Sequence, residues 1–226
     1  MAAPKRFSGP GDRRIKRALC IVAHPDDIEF FCAGTVLLLT DRGAVVDFVV
    51  ATSGDKGTHD PKLTSADLKR MREEEQRRAA AVLGAREVRF LGRPDAELED
   101  TLDLRAALVR EIRYSRPDVL ITFDPTPTYR MHPDHRVIGR VALDAAWPCA
   151  RDRLSYPTPD LEPHSTKEAW CFSSPAPDLE VDVASVLERK IEARLEHRSQ
   201  TRWPPALRQR WRRVGSPERY KQVDLR

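Results

Sequence analysis

Short apolar runs rich in β-branched residues alternate along this chain with longer segments of helical pattern. That alternation constrains the fold more than any other feature. Residues 18–23 (ALCIVA), 45–51 (VVDFVVA), 87–91 (EVRFL) and 118–123 (DVLITF) have the length and character of strands. Between and after them, residues 28–40, 65–83, 102–114 and 133–147 carry helical periodicity; Gly43 and Gly84 stand where the first two helices should stop. Such an order closes right-handed crossovers onto a parallel sheet with helices on both faces. Strands buried on both faces lose polar–apolar alternation, as most of these do. The expected fold class is α/β, a Rossmann-like, mostly parallel sheet.

From 148 to 177 prolines recur and a single strand-like run, 168–173, interrupts them. This predicts a loop region with an added C-terminal edge strand, followed by a last helix over 183–198. The first residues, MAAPKRFSGPGDRR, are basic and turn-rich and lack the apolar core of a secretory signal. The expected organisation is a disordered lead-in over 1–16, one folded domain over 17–200 and a basic C-terminal tail over 201–226. The tail carries Arg202, Arg208, Arg210, Arg212, Arg213, Arg219 and Lys221. A solvated tail explains those charges, and a patch for an anionic partner or a neighbouring subunit is the alternative.

A net charge of +4 on 226 residues does not call for a nucleic-acid partner. The four cysteines, Cys20, Cys32, Cys149 and Cys171, form no C-x-x-C pair, which argues against a cysteine-held metal. Cys20 and Cys32 lie in apolar surroundings and read as small core residues. A reducing, cytoplasmic setting fits, and no apolar run approaches the length of a membrane span.

Ligands of an open α/β sheet bind beyond the carboxyl ends of its strands. Two similar motifs fall there. Ala23-His24-Pro25-Asp26-Asp27 follows the first strand, and His132-Pro133-Asp134-His135 follows the fourth. In each, a histidine precedes a proline suited to the first helical position and acidic residues suited to a helix N-terminus. Asp27 and His135 each lie three residues beyond the capping histidine, on the same helix face. His24, Asp27 and His135 can therefore converge. Two imidazoles and a carboxylate are a frequent catalytic zinc set that leaves one position for water, and the same donors accept iron(II) or cobalt(II). Asp26 is the candidate base, His132 the candidate acid or oxyanion partner, and Asp134 a candidate to orient His132. A single H-P-D could be an ordinary helix cap; two at the ends of two strands of one sheet favour a site.

At these residues the chain resembles the PIG-L/LmbE-like family of N-acetylglucosaminyl deacetylases. The resemblance continues through Glu29, Gly34-Thr35, the loop from Thr52 to Gly57, Arg72 and Glu75, Leu83-Gly84, Leu91 to Asp95, and His197 to Gln200. It implies zinc on His24, Asp27 and His135, Asp26 as general base, and an acid or electrophilic role for His132. The substrate would be a small amino sugar, and an oligomer would be plausible. Asp55, Asp95, Tyr129 and Arg130 are candidate substrate contacts. A tight surface turn is the competing account of Gly54, Asp55 and Gly57, and a Pro-Asp turn that of Asp95. Arg72 and Glu75 are expected to form a helix-surface pair, and His197 to pack locally.

Two other readings compete. One is a related amidase acting on another N-acyl group or a thiol conjugate. The other is a non-catalytic nucleotide or nucleic-acid binder. The turn after the first strand carries no G-x-G-x-x-G and no P-loop, and aromatic and basic residues are not interleaved.

Overall fold

A computed structural model of the chain describes residues 5–7 (by their backbone), 15–127, 129, 131–201 and 204–226. Arg130, a candidate substrate contact, and Arg202 lie outside the described residues. Among the described residues eight strands form a single sheet in the order β1-β7-β8-β6-β5-β2-β3-β4. Its parallel heart comprises β2 (Arg17–Val22), β3 (Val45–Thr52), β4 (Glu87–Arg93), β5 (Val119–Phe123) and β6 (Glu168–Phe172). Leu19, Ile21, Phe48, Leu120 and Phe123 on these strands are wholly inaccessible to solvent. This is what nearly continuous apolar strands require when both faces are covered.

The helices cover those faces. They are α1 (Asp27–Phe31), α2 (Ala33–Thr40), α3 (Ser65–Leu83), α4 (Leu102–Ser115), α5 (Pro133–Asp144), α6 (Leu187–Leu195) and α7 (Pro204–Val214). The limits of α3 follow from its caps. Thr64 and Asp67 form a reciprocal capping box, and Gly84 ends the helix at φ 71°. The helix expected over 28–40 is two helices, because Cys32 leaves helical geometry at φ −141°, ψ 8°. The break lets α1 turn its first residues towards the sheet end while α2 packs beneath. At Gly139 a Cβ would stand 2.5 Å from the Phe123 carbonyl oxygen. Glycine there lets α5 lie directly against β5.

Three expectations about the termini change. The strand over 168–173 is not at an edge: β6 pairs in parallel with β5 and antiparallel with β8. The expected basic tail is α7 followed by β8 (Glu218–Asp224), which lies between β6 and β7 (Leu179–Val181). Within the expected lead-in, Lys5–Phe7 forms β1, parallel to β7. The sheet therefore takes in residues beyond 200. A buried carboxylate fastens β8: Glu218 accepts from the backbone N–H groups of Gly34 (2.9 Å) and Thr35 (2.8 Å) and from Lys190 Nζ (2.7 Å). The arginines of the last stretch mostly face solvent, so composition gave the appearance of a tail to segments held by a few buried groups. The helix expected over 183–198 is shorter, a 3₁₀ turn at Ala184–Val186 leading into α6.

Candidate metal centre

Two turns at the carboxyl ends of β2 and β5 carry the site. His24 follows β2 closely, and its backbone N–H donates to Asp27 Oδ2 at 2.8 Å. Asp26 between them takes a left-handed conformation, φ 92°. That geometry is costly for a non-glycine residue and tends to occur at functional sites. It is held by the Asp26 N–H donating to Gln76 Oε1 at 2.9 Å. On the other turn, His132 caps α5 with Nδ1 accepting the Asp134 N–H at 3.2 Å, and Pro133 occupies the first helical turn.

These turns meet. His24 Nδ1 lies 3.1 Å from His135 Nε2, His135 Nε2 lies 3.1 Å from Asp27 Oδ1, and His24 Nδ1 lies 3.7 Å from Asp27 Oδ2. Two ring nitrogens facing one another beside a carboxylate form a donor set that fits a divalent cation, with all three ligand atoms within 4.8 Å of one another. The His135 ring stacks on Phe123 at 3.9 Å, the strand residue against which Gly139 brings its helix.

The second nitrogen of His24 has a different task. Nε2 lies 3.1 Å from both Asp134 and Asp95. Asp134 also accepts the backbone N–H groups of Ala96 (2.8 Å) and Leu98 (3.2 Å), and Asp95 accepts that of Lys56 (3.1 Å). His24, Asp95, His132 and Asp134 also stand close enough to be a second metal-capable group. The carboxylates of that group are already spent on backbone donors and address the His24 nitrogen that does not face His135. They suit orientation of a ligand ring better than ligation. Asp134 was expected to orient His132, but its carboxylate is 4.0 Å from that ring and serves His24.

The charges follow from this packing. Burial works against a charged His24, yet its bonds to Asp134, Asp27 and Asp95 raise its pKa to about 11. Burial likewise opposes ionisation of Asp27 and Asp95. For Asp27 the interactions with His135 and His24 overcome it and hold the group far below the usual carboxylate range; for Asp95 the bond with His24 lowers the pKa to about 2. Burial raises Asp26, with Arg72 pulling the other way. Burial and the nearby charge of His24 lower His132.

Asp26 is flanked by two guanidinium groups: Arg72 Nη2 at 3.4 Å from Oδ1 and Arg194 Nη2 at 3.7 Å from Oδ2. Arg72 does not pair with Glu75 as expected. It donates to the carbonyls of Pro25 (2.7 Å) and Gly54 (2.9 Å), tying the loop after β3 to the loop after β2. A side chain at Gly54, φ 61°, would collide with that guanidinium. Glu75 instead accepts from the Ser199 N–H (2.8 Å) and Oγ (2.6 Å). Behind Asp26, Gln76 Nε2 donates to Glu29 at 3.0 Å, and Glu29 lies 3.1 Å from His197 with both side chains fully buried. His197 thus packs locally, as expected.

A cleft of about 440 Å³ opens over the cluster, lined by His24, Asp26, Asp27, Asp95, His132 and His135 together with Phe30, Arg72 and Gln200. Of the expected substrate contacts, Asp95 is in this cleft. Asp55 is outside it and accepts from Ser65 Oγ at 2.5 Å. Tyr129 is 86% exposed and is not among the lining residues. Gln76, Arg194 and Gln200 were not anticipated as site residues. Gln76 had a signal, standing one helical turn after Arg72. Arg194 had none, because its approach to Asp26 depends on how α6 packs across α1 and α3.

A family model described as PIG-L, GlcNAc-PI de-N-acetylase, matches residues 19–146. Diacetylchitobiose deacetylase of Thermococcus kodakarensis is 33% identical over 202 residues, covering 86% of this chain and 76% of that protein. The structure of N,N'-diacetylchitobiose deacetylase from Pyrococcus horikoshii, complexed with an inhibitor, superposes with a TM-score of 0.85 at 29% identity, covering 93% of this chain and 84% of that one. Likeness to the 4-carboxy-2-hydroxymuconate hydratase GalB of Pseudomonas putida, TM-score 0.79 at 22% identity over 93% of this chain and 97% of that one, concerns the fold alone.

Proposed function

Since the chain belongs to the PIG-L family of GlcNAc-PI de-N-acetylases, we propose that it is a metal-dependent N-deacetylase removing the acetyl group of an N-acetylglucosamine-type sugar. The observation that carries this reading is the convergence of His24 Nδ1, Asp27 and His135 Nε2 with Asp26 beside them on one cleft. We assign zinc to His24, Asp27 and His135. When bound there it supplies a Lewis acid that acidifies water and polarises a carbonyl.

The chain's own groups move the protons. Asp26 accepts a proton from the attacking water, and burial, which raises its pKa, makes it a stronger proton acceptor than an exposed carboxylate. His132 presents the complementary group. Its Nδ1 accepts the Asp134 N–H, so a neutral ring carries its hydrogen on Nε2 and donates from there. That donor stabilises negative charge on the carbonyl oxygen, and the proton that Asp26 took from the water passes to the departing nitrogen. The water oxygen bonds to the acyl carbon, the C–N bond breaks, and free amine and acetate result. Asp134 and Asp95 fix the ring of His24, and Arg72 with Arg194 holds the carboxylate of Asp26.

A cytoplasmic setting accords with four free cysteines and with a chain in which no helix of the described residues is long and apolar enough to cross a membrane. The test is acetate release from N-acetylglucosamine and N,N'-diacetylchitobiose by protein of measured zinc content. A fully loaded protein that releases acetate from neither, while cleaving other N-acyl compounds, would replace the amino sugar with another acyl-amide substrate.

A further inference from the structure

The two histidines of the donor set are braced by different means. His24 is held at Nε2 by the carboxylates of Asp134 and Asp95, each 3.1 Å away. His135 turns Nε2 towards His24 and Asp27, and among the described residues its Nδ1 has no acceptor. A histidine ring rotates easily about its last torsion, so an unbraced one would turn Nε2 out of the site part of the time. A metal ligand ordinarily relies on a second hydrogen bond to prevent this. Resting on the metal assignment above, we infer that Phe123 is a positioning residue for His135, its aromatic face fixing the imidazole before a cation arrives.

Phe123 ends β5, is wholly buried, and lies against the imidazole with ring centroids 3.9 Å apart and planes 15° apart. Its own ring is confined in turn. Phe172 and Phe31 meet it at 4.5 Å and 5.2 Å, each inclined at 70°, and stack on one another at 5.0 Å. The helix is set against the same residue. Gly139 lies one turn after His135 on the same face of α5, and a Cβ there would stand 2.5 Å from the Phe123 carbonyl oxygen. The close approach that glycine permits brings His135 into stacking distance. One strand residue thus meets α5 twice, through its carbonyl at Gly139 and through its ring at His135. An aromatic face limits tilt and rotation of the imidazole without adding charge, so affinity is gained by ordering the ligand in advance.

The experiment measures zinc affinity of the full-length protein by competition with a chelating dye, in the wild type and in Phe123→Leu, Phe48→Leu and His135→Ala. Phe48 is an equally buried residue of β3, so its variant reports the effect of a loosened core alone. Phe123→Leu should weaken zinc binding roughly tenfold, and Phe48→Leu should leave it unchanged. Proton NMR of the metal-free protein gives a second readout. The carbon-bound ring protons of His135, assigned by their loss in His135→Ala, should resonate upfield of an ordinary histidine through the Phe123 ring current, and Phe123→Leu should abolish that shift. The upfield shift in the wild type carries the test if the leucine variant does not fold. Unshifted His135 protons in the wild type, unchanged zinc affinity in Phe123→Leu, or equal weakening in both leucine variants overturns the positioning role. Zinc bound as tightly by His135→Ala as by the wild type defeats the metal assignment instead, on which the proton shifts of the metal-free ring do not depend.

Discussion

The Asp134 carboxylate lies 3.1 Å from Nε2 of His24, the ring nitrogen that does not face Asp27 and His135. One histidine thus joins two groups of residues: a donor set on its Nδ1 side, and a buried acceptor on its Nε2 side that also receives the N–H groups of Ala96 and Leu98. The turn after β2 that carries His24 is thereby fastened to the loop after β4 and to the start of α5. Removing the acceptor should disturb metal affinity before it disturbs the fold. Asp134→Asn is expected to weaken zinc binding roughly 10- to 100-fold, measured by competition with a chelating dye. Asp134→Ala should in addition lose about 1–3 kcal/mol for each backbone donor left unpaired, measured by urea unfolding. Unchanged zinc affinity in Asp134→Asn would remove its orienting role.

Asp26 should separate chemistry from metal binding. It touches Arg72 and Arg194 and is not one of the three converging donors. Asp26→Asn is expected to retain zinc and lose roughly 10²- to 10⁴-fold in kcat. Metal content by elemental analysis and acetate release are read on the same sample; near-normal turnover would refute its assignment as base.

The protonation of His24 predicts a calorimetric signature. Without metal its pKa is raised to about 11, so at pH 8 the ring carries a proton that a cation at Nδ1 must displace. Zinc titrations at pH 8 in two buffers of different ionisation enthalpy should differ by about one proton released. The same shift acts on stability. A raised pKa stabilises the folded chain fully below the unfolded value near 6.5, and that contribution is lost as pH rises towards 11. The Tm of metal-free protein should therefore fall between pH 7 and pH 10, and zinc-loaded protein should show a smaller decline. Identical enthalpies in both buffers would contradict a protonated His24.

Glu29 and His197 sit 3.1 Å apart with both side chains wholly buried, linking α1 to the turn after α6. Removing one member strands a polar partner in the interior. His197→Ala is expected to cost about 3–5 kcal/mol by chemical denaturation. Through Gln76, which bonds both Glu29 and the Asp26 backbone, it should also lower kcat more than it changes KM. A loss under about 1 kcal/mol would place the pair outside the structural frame.

The β2, β3, β4 and β5 strands, the end of α3 and the two H-P-D turns were legible in the sequence because each is a local matter. Strand character lies in runs of a few residues, Gly84 marks a helix end by its own chemistry, and the proline after His132 marks the start of α5, whereas α1 is capped by Asp26 and not by the expected His24. Other features depended on contacts between segments far apart in the chain. Glu218 draws a basic C-terminal stretch into the sheet by bonding Gly34 and Thr35. Arg194 reaches Asp26 from a helix more than a hundred residues away, Asp134 serves His24 although His132 is its nearer neighbour in sequence, and Asp55 turns to Ser65 and leaves the cleft. The sequence alone determined which residues could carry the chemistry and which strands would hold them. Tertiary structure decided which partner each buried polar group took, because a buried donor or acceptor is satisfied by whatever packing brings within reach.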